Sequence, residues 1–269
     1  MRTQLIGKQG YIAGAASAFL KEYCEFEEFS WRKLQANEDL SAFEEVSEAR
    51  LVIAGGLTSH EFDPSIAKLW EYKFSLLLDH LGENEGNDIL LFSSIHAESD
   101  SVYGEHKRNL EDRLFAWSGK RTVVRLPNMF GLLGRNIGRY YHPLINKLIL
   151  QTIGKECADA SVKNPKADID LVHISALQDV IGAYWYGHIT GLINVTSGIK
   201  LTVGEVNNYL ENIRDNQGSN KPSYPTGTSC KISCNSIVFP NQLELLMKDI
   251  FKNPYSEIHP PQNIDQYSG

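Results

Sequence analysis

In this chain of 269 residues the feature that most constrains the fold is a rhythm: short, almost unbroken apolar runs alternate with longer stretches of helical period. Leu51-Val52-Ile53-Ala54, halted by Gly55-Gly56, and Ile89-Leu90-Leu91-Phe92, halted by Ser93-Ser94, are of the first kind, as is Thr122–Leu126. Such runs, stopped at once by glycine or serine, predict strands buried on both faces. Between them, Ile66–Leu81 places Leu69, Tyr72, Leu76 and Leu77 on one side, and Tyr103–Trp117 places Leu110, Leu114 and Trp117 at core spacing. A strand buried on both faces needs helices above and below it. This order therefore predicts an α/β fold, a doubly wound parallel sheet.

The opening residues start the same pattern. A short apolar stretch, Leu5-Ile6, meets Gly7-Lys8-Gln9-Gly10-Tyr11-Ile12-Ala13, and Ala15, Ala16, Ala18, Phe19 and Leu20 supply helix formers. Glu25–Trp31 is a candidate second strand. Later, Asp170–Ile174 and Gly191–Val195 read as strands and Asp179–Tyr186 as an amphipathic helix. Thr202–Ile213 reads as another, with Thr202 as N-cap and Glu205 completing a capping box. Arg214–Ser229 has the composition of a loop, and Asn253–Gly269 that of an irregular tail. Residues 1–131 are expected to form the sheet core, joined by segments returning near 168–198, and 132–269 mainly a smaller lobe and the tail.

Charge and cysteine usage narrow the partners. With 26 Lys+Arg against 33 Asp+Glu the formal net charge is −7, which leaves no basic surface to release counterions from a nucleic acid. Cys24, Cys157, Cys230 and Cys234 form no CxxC pair, so thiols in a reducing, cytoplasmic setting are expected. No apolar run approaches bilayer length, so no membrane is expected, and the histidines do not cluster at metal-ligand spacing, so no metal.

Two groups of residues carry chemistry. Gly7-x-x-Gly10-x-x-Ala13 lies at the first strand–helix junction, where doubly wound sheets bind dinucleotides. A tight turn, a backbone open to a pyrophosphate and a small residue for helix–strand contact are what that site needs. Two glycines and an alanine also read as a turn and nothing more. The second group is firmer. Ser93-Ser94 ends a strand, and Tyr103-Gly-Glu-His-Lys107 opens a helix, with Tyr103 and Lys107 one turn apart on one face. A lysine ammonium beside a phenol favours the phenolate and makes it a usable general acid/base. A serine hydroxyl can hold the oxygen of a carbonyl or alcohol. An isolated YxxxK is more often a solvated helix start; the serines and glycine turn, in this order, turn the balance toward a site.

In these residues the chain resembles the extended short-chain dehydrogenase/reductase superfamily that acts on nucleotide sugars, over roughly residues 3–213. The resemblance rests on Gly7/Gly10/Ala13, Ile53-Ala54-Gly55, Ser94 with Tyr103 and Lys107, and Arg125-Leu-Pro-Asn128-Met-Phe-Gly131. The phrase Phe92-Ser-Ser-Ile-His-Ala-Glu-Ser-Asp-Ser-Val-Tyr-Gly104 is most similar to capsular-polysaccharide nucleotide-sugar 4-reductases, here without room for the cupin domain of their longer members. The resemblance implies a Rossmann core with a substrate-binding lobe, and catalysis by Tyr103 (proton relay), Lys107 (ribose contact and tuning of Tyr103) and Ser94 (substrate carbonyl). It implies cofactor contacts from Gly7, Gly10, Tyr11, Ile12, Ala13, Ala54, Gly55 and Lys107, a substrate-diphosphate contact from Asn128, and a homodimer built on Ile66–Leu81 and Tyr103–Trp117.

Departures from the family pattern shape the remaining expectations. Where an acid would bind a ribose 2′-hydroxyl at the end of the second strand, the chain has Ser30-Trp31-Arg32-Lys33. Arg32 suits a 2′-phosphate, so NADP(H) is favoured over NAD(H); Arg32 solvating a loop is the other reading. Arg135 and Arg139 can neutralise a substrate diphosphate, or line a solvated helix. Ile95-His96 stands where sugar dehydratases carry Asp-Glu, which counts against dehydration. The expected activity is that of an NADP(H)-dependent reductase or dehydrogenase of a nucleotide-activated deoxysugar in surface-polysaccharide biosynthesis. The alternatives are a nucleotide-sugar epimerase and a catalytically silent NADP-binding sensor.

Overall fold

A computed structural model describes residues 2–7, 10–30, 49–55, 57, 62–82, 86–131, 143–152, 160–215, 231–232 and 236–238. The first half runs β1 (Arg2–Ile6), α1 (Tyr11–Leu20), β2 (Phe26–Phe29), β3 (Ala49–Ile53), α2 (Pro64–Leu81) and β4 (Asp88–Ser94). A 3-10 turn (Ile95–Glu98) leads into α3 (Val102–Ala116), β5 (Lys120–Leu126) and β6 (Asn128–Phe130). Then follow α4 (Leu144–Thr152), β7 (Asp168–Ile169), β8 (Leu171–His173), α5 (Ala176–Trp185), β9 (Gly191–Thr196), β10 (Leu201–Thr202), α6 (Val203–Asp215), β11 (Lys231–Ile232) and β12 (Ser236–Val238).

One sheet has the order β11-β12-β9-β5-β4-β3-β1-β2; every pairing in it is parallel except β11 with β12. The alternation of side chains along its strands explains the unbroken apolar runs. Leu5, Val52, Leu90, Phe92 and Val124 point to the layer of α1 and α5. Their chain neighbours Leu51, Ile53, Ile89, Leu91 and Val123 point to the layer of α2 and α3. Both faces are covered, so apolar side chains line both sides of the central strands. A third cluster joins Phe130, α4 and α6 around Ile149, Leu171 and Val206. β11 and β12 extend the main sheet from residues beyond 230, where the sequence carries no periodic signal.

α2 corrects one expectation. The sequence groups Leu69 and Tyr72 with Leu77, yet Leu69 is 40% and Tyr72 53% exposed, while Ala67, Trp70, Phe74, Leu77, Leu78 and Leu81 are buried. The 3.6-residue period fits either stripe, and the aromatic bulk of Trp70 and Phe74 decides which one meets the sheet. Leu110, Leu114 and Trp117 of α3 are buried as expected. The capping box on α6 forms. The Thr202 N–H and hydroxyl donate to Glu205 Oε2 at 2.7 and 2.8 Å, and the Glu205 N–H donates to Thr202 Oγ1 at 3.2 Å.

β1 lies between β2 and β3, so the chain leaves it toward opposite sides of the sheet. The crevice at such a switch point, beyond the C-terminal strand ends, is where open α/β sheets bind ligands. Gly7, Ala54, Ser94 and Leu126 all stand at or next to that edge.

Candidate active site

At the end of β1, Gly7 takes φ +129°, and a Cβ there would lie 2.7 Å from the Gly55 nitrogen and 2.8 Å from the Ala54 carbonyl carbon. The strand ends of β1 and β3 are thus in direct backbone contact, which only glycine allows. The turn is closed by Gly10 N–H donating to the Gly7 carbonyl at 3.1 Å, and Gly7 N–H donates to the Phe29 carbonyl of β2 at 3.0 Å. Gly10 is different. A Cβ at Gly10 would meet nothing nearer than 3.5 Å, so packing within the chain does not demand glycine there.

Gly10 is also the N-cap of α1, with no side-chain cap and no acidic residue in the first turn. That helix end keeps its partial positive charge for an anion, which fits a pyrophosphate. Ala13 is buried against the sheet, as close helix–strand contact requires, while Tyr11 and Ile12 are half-buried beside the same core. The Tyr11 hydroxyl donates to the Gly131 carbonyl at 2.9 Å, tying this turn to the end of β6.

The strand alternation splits the serine pair. Ser93 turns inward, and its hydroxyl donates to Glu111 Oε1 at 2.5 Å. Ser94 turns toward the crevice, where it caps the 3-10 turn by accepting the His96 N–H at 3.2 Å. Its own O–H can donate to a substrate oxygen. Ser101 caps α3 by accepting the Gly104 N–H at 3.0 Å, which fixes the helix start and hence the direction of Tyr103.

Tyr103 is half-buried, its ring edge-on to Phe62 (5.8 Å) and His96 (5.9 Å). One turn later Lys107 is only 6% exposed, with Nζ 5.4 Å from the centre of the Tyr103 ring. Burial pushes the Lys107 ammonium down from 10.5 to about 8, against the opposing pull of Glu111. His106, between them in sequence, points away to α2: its Nδ1 lies 2.8 Å from Glu71 Oε1, and burial holds its pKa below the usual value.

Asn128 starts β6 half-buried, its N–H donating to the Asp170 carbonyl at 3.1 Å. Arg32, Arg135 and Arg139 lie outside the described residues. The sequence reading missed Glu111. Its signal was present: a carboxylate one turn after Lys107, on the face that also carries Leu110 and Leu114.

The order of strands, the glycine turn at the switch point and the helices on both faces define a doubly wound α/β fold, which solved structures share. Among these is the capsular polysaccharide assembling protein CapF from Staphylococcus aureus, at 21% identity and TM-score 0.56 over 80% of this chain. This chain spans 59% of the length of that one. The UDP-N-acetylglucosamine 4-epimerase from Bacillus cereus matches at 14% identity and TM-score 0.63, covering 96% of each chain. The dTDP-4-dehydrorhamnose reductase from Bacillus anthracis, solved with NADP, matches at 12% identity and TM-score 0.64, covering 93% of this chain and 98% of its own. No family model and no curated protein sequence matches the chain. The fold expected from the sequence is thus the fold observed, and it is the one these solved proteins have.

Proposed function

We propose that the chain is an NAD(P)-dependent oxidoreductase that reduces or oxidises a nucleotide-activated sugar, with NADP(H) favoured over NAD(H). The observation that carries this reading is the pair Tyr103 and Lys107 on one face of α3, with Ser94 at the end of β4, on the sheet edge that also holds the Gly7–Gly10 turn. When bound, a nicotinamide dinucleotide supplies the hydride. The residues of the chain do the rest. The turn and the open end of α1 take the pyrophosphate, and Lys107 holds the nicotinamide ribose. Ser94 donates to the sugar carbonyl oxygen, and Tyr103 gives that oxygen its proton as it gains negative charge, or takes the proton back in the reverse direction.

The fold neighbours support the substrate class: the B. cereus protein is an epimerase of a UDP-sugar and the B. anthracis one a reductase of a dTDP-sugar. CapF supports a place in surface-polysaccharide assembly. The NADP(H) preference rests on Arg32, and substrate diphosphate contacts on Asn128, Arg135 and Arg139. A homodimer through α2 and α3 is supported by the exposed apolar side chains Ile66, Leu69, Tyr72 and Val102. Among the described residues no helix is long and apolar enough to cross a membrane. A cytoplasmic setting is proposed with the rest.

The test is titration of the purified protein with NADPH and NADH by fluorescence, with and without a panel of 4-keto sugar nucleotides. Substrate-dependent loss of NADPH is the expected result. Binding without consumption across the panel would move the reading to an epimerase or a sensor, and binding of neither cofactor would refute it.

A further inference from the structure

Behind the Tyr103–Lys107 face lies a buried ionic group that the proposed chemistry has not used. Glu111 is 3% exposed, one turn beyond Lys107 on α3. Its carboxylate takes the Ser93 hydroxyl at 2.5 Å on Oε1 and two nitrogens of the Arg125 guanidinium: Nε at 3.0 Å to Oε1 and 3.1 Å to Oε2, Nη2 at 2.6 Å to Oε2. Arg125 reaches outward with Nη1 to Glu98 of the 3-10 turn, at 3.0 Å. One carboxylate therefore fastens α3 to the end of β4 through Ser93 and to β5 through Arg125, and Arg125 fastens both to the turn that Ser94 caps.

We propose that Glu111 is the positioning residue of this site: it fixes the Ser94 hydroxyl by anchoring the adjacent Ser93, and its negative charge keeps the buried Lys107 protonated. This rests on the function proposed above. Four charges make a balanced set, since Lys107 and Arg125 carry two positive charges and Glu111 and the more exposed Glu98 two negative ones. Burial disfavours the charged form of a lysine as deeply placed as Lys107, and a carboxylate one helical turn away favours it. On its own helix the titratable groups near it are Tyr103, His106 and Glu111; Ser93 of β4 and Arg125 of β5 reach Glu111, and Glu98 reaches Arg125. Glu71 of α2 stands beyond His106, and α2 also buries Lys73. Glu111 is the group among these whose charge opposes the burial of Lys107.

The experiment follows the lysine itself. The full chain, labelled with 13C-lysine, is titrated from pH 6 to 11, and the Lys107 Cε resonance is assigned by its loss in Lys107→Arg. The wild-type midpoint is expected at about 8. Glu111→Gln keeps the shape and removes the charge, and should lower that midpoint by about one unit, a roughly tenfold loss of the ammonium form at a fixed pH above it. Arg125→Gln frees the carboxylate from its competing cation and should move the midpoint up. If Glu111→Gln does not fold, which its collapsed spectrum would reveal, the Arg125→Gln shift decides. A midpoint unmoved in the folded variants overturns the proposal.

NADPH affinity is measured on the same proteins. Binding should weaken as pH passes through the Lys107 midpoint, about one unit lower in Glu111→Gln than in wild type, with equal affinities at pH 6. An equal loss at every pH would mark Glu111 as a structural brace alone and overturn its electrostatic role. If the resonance shifts as expected while no protein binds NADPH or NADH at any pH, the electrostatic pairing stands and the oxidoreductase reading falls.

Discussion

Lys107 carries a stability cost that its removal should return. Its ammonium titrates at about 8 in the folded chain against 10.5 in the ordinary side chain, the largest cause being burial. Between those two values the unfolded chain holds a proton that the folded chain lacks, so the lysine's contribution makes stability rise with pH across that window. Below about 8 the penalty is complete. A difference of about 2.5 units at 1.36 kcal/mol each amounts to about 3 kcal/mol. Lys107→Met has nearly the same length and no charge, and leaves Glu111 paired with Arg125. Urea unfolding at pH 7 should therefore find Lys107→Met more stable than wild type by up to about 3 kcal/mol. At pH 10.5 the two should nearly coincide. The same variant should bind NADPH more weakly, because the group that strains the fold is the one assigned to the ribose. A variant less stable than wild type at pH 7, or an advantage that does not shrink on raising the pH, would refute the argument that Glu111 offsets the burial of this charge only in part.

Tyr103→Phe removes one hydroxyl, so turnover should fall by about 100-fold or more while NADPH affinity stays near wild type, as stopped-assay and fluorescence measurements would show. Gly7→Ala and Gly10→Ala form a pair. The first forces a Cβ into the β3 backbone at a positive φ and should cost at least roughly 2–3 kcal/mol in thermal or urea unfolding, whereas the second should leave stability nearly unchanged and weaken dinucleotide binding. Equal effects of the two on stability would contradict the geometry of the turn. Thr202→Ala removes the α6 capping box and should lower stability by about 1 kcal/mol without touching cofactor affinity. On the proposed homodimer, sedimentation should show wild type as a dimer and Tyr72→Lys, at a 53% exposed position on α2, as a monomer.

The local signals in the sequence determined much of this protein. Leu51–Ile53 and Ile89–Phe92 had to be doubly buried strands, because no alternating polar face was available to meet water. The Thr202–Glu205 spacing dictated its own helix cap, since both partners lie within one turn. Tyr103 and Lys107 had to share a face, a consequence of helical period alone. What tertiary structure decided are choices between locally equivalent options. Two stripes of α2 have helical period, and only contact with the sheet chose Trp70 and Phe74 over Leu69 and Tyr72. Ser93 and Ser94 are chemically identical, and the pleat of β4 sent one to Glu111 and the other to the crevice. Gly7 and Gly10 look alike in the turn, yet only the approach of β3 makes the first obligatory. The partnership of Glu111 with Arg125 spans 14 residues and two elements, and a pairing of that kind exists only once α3 has packed against β5.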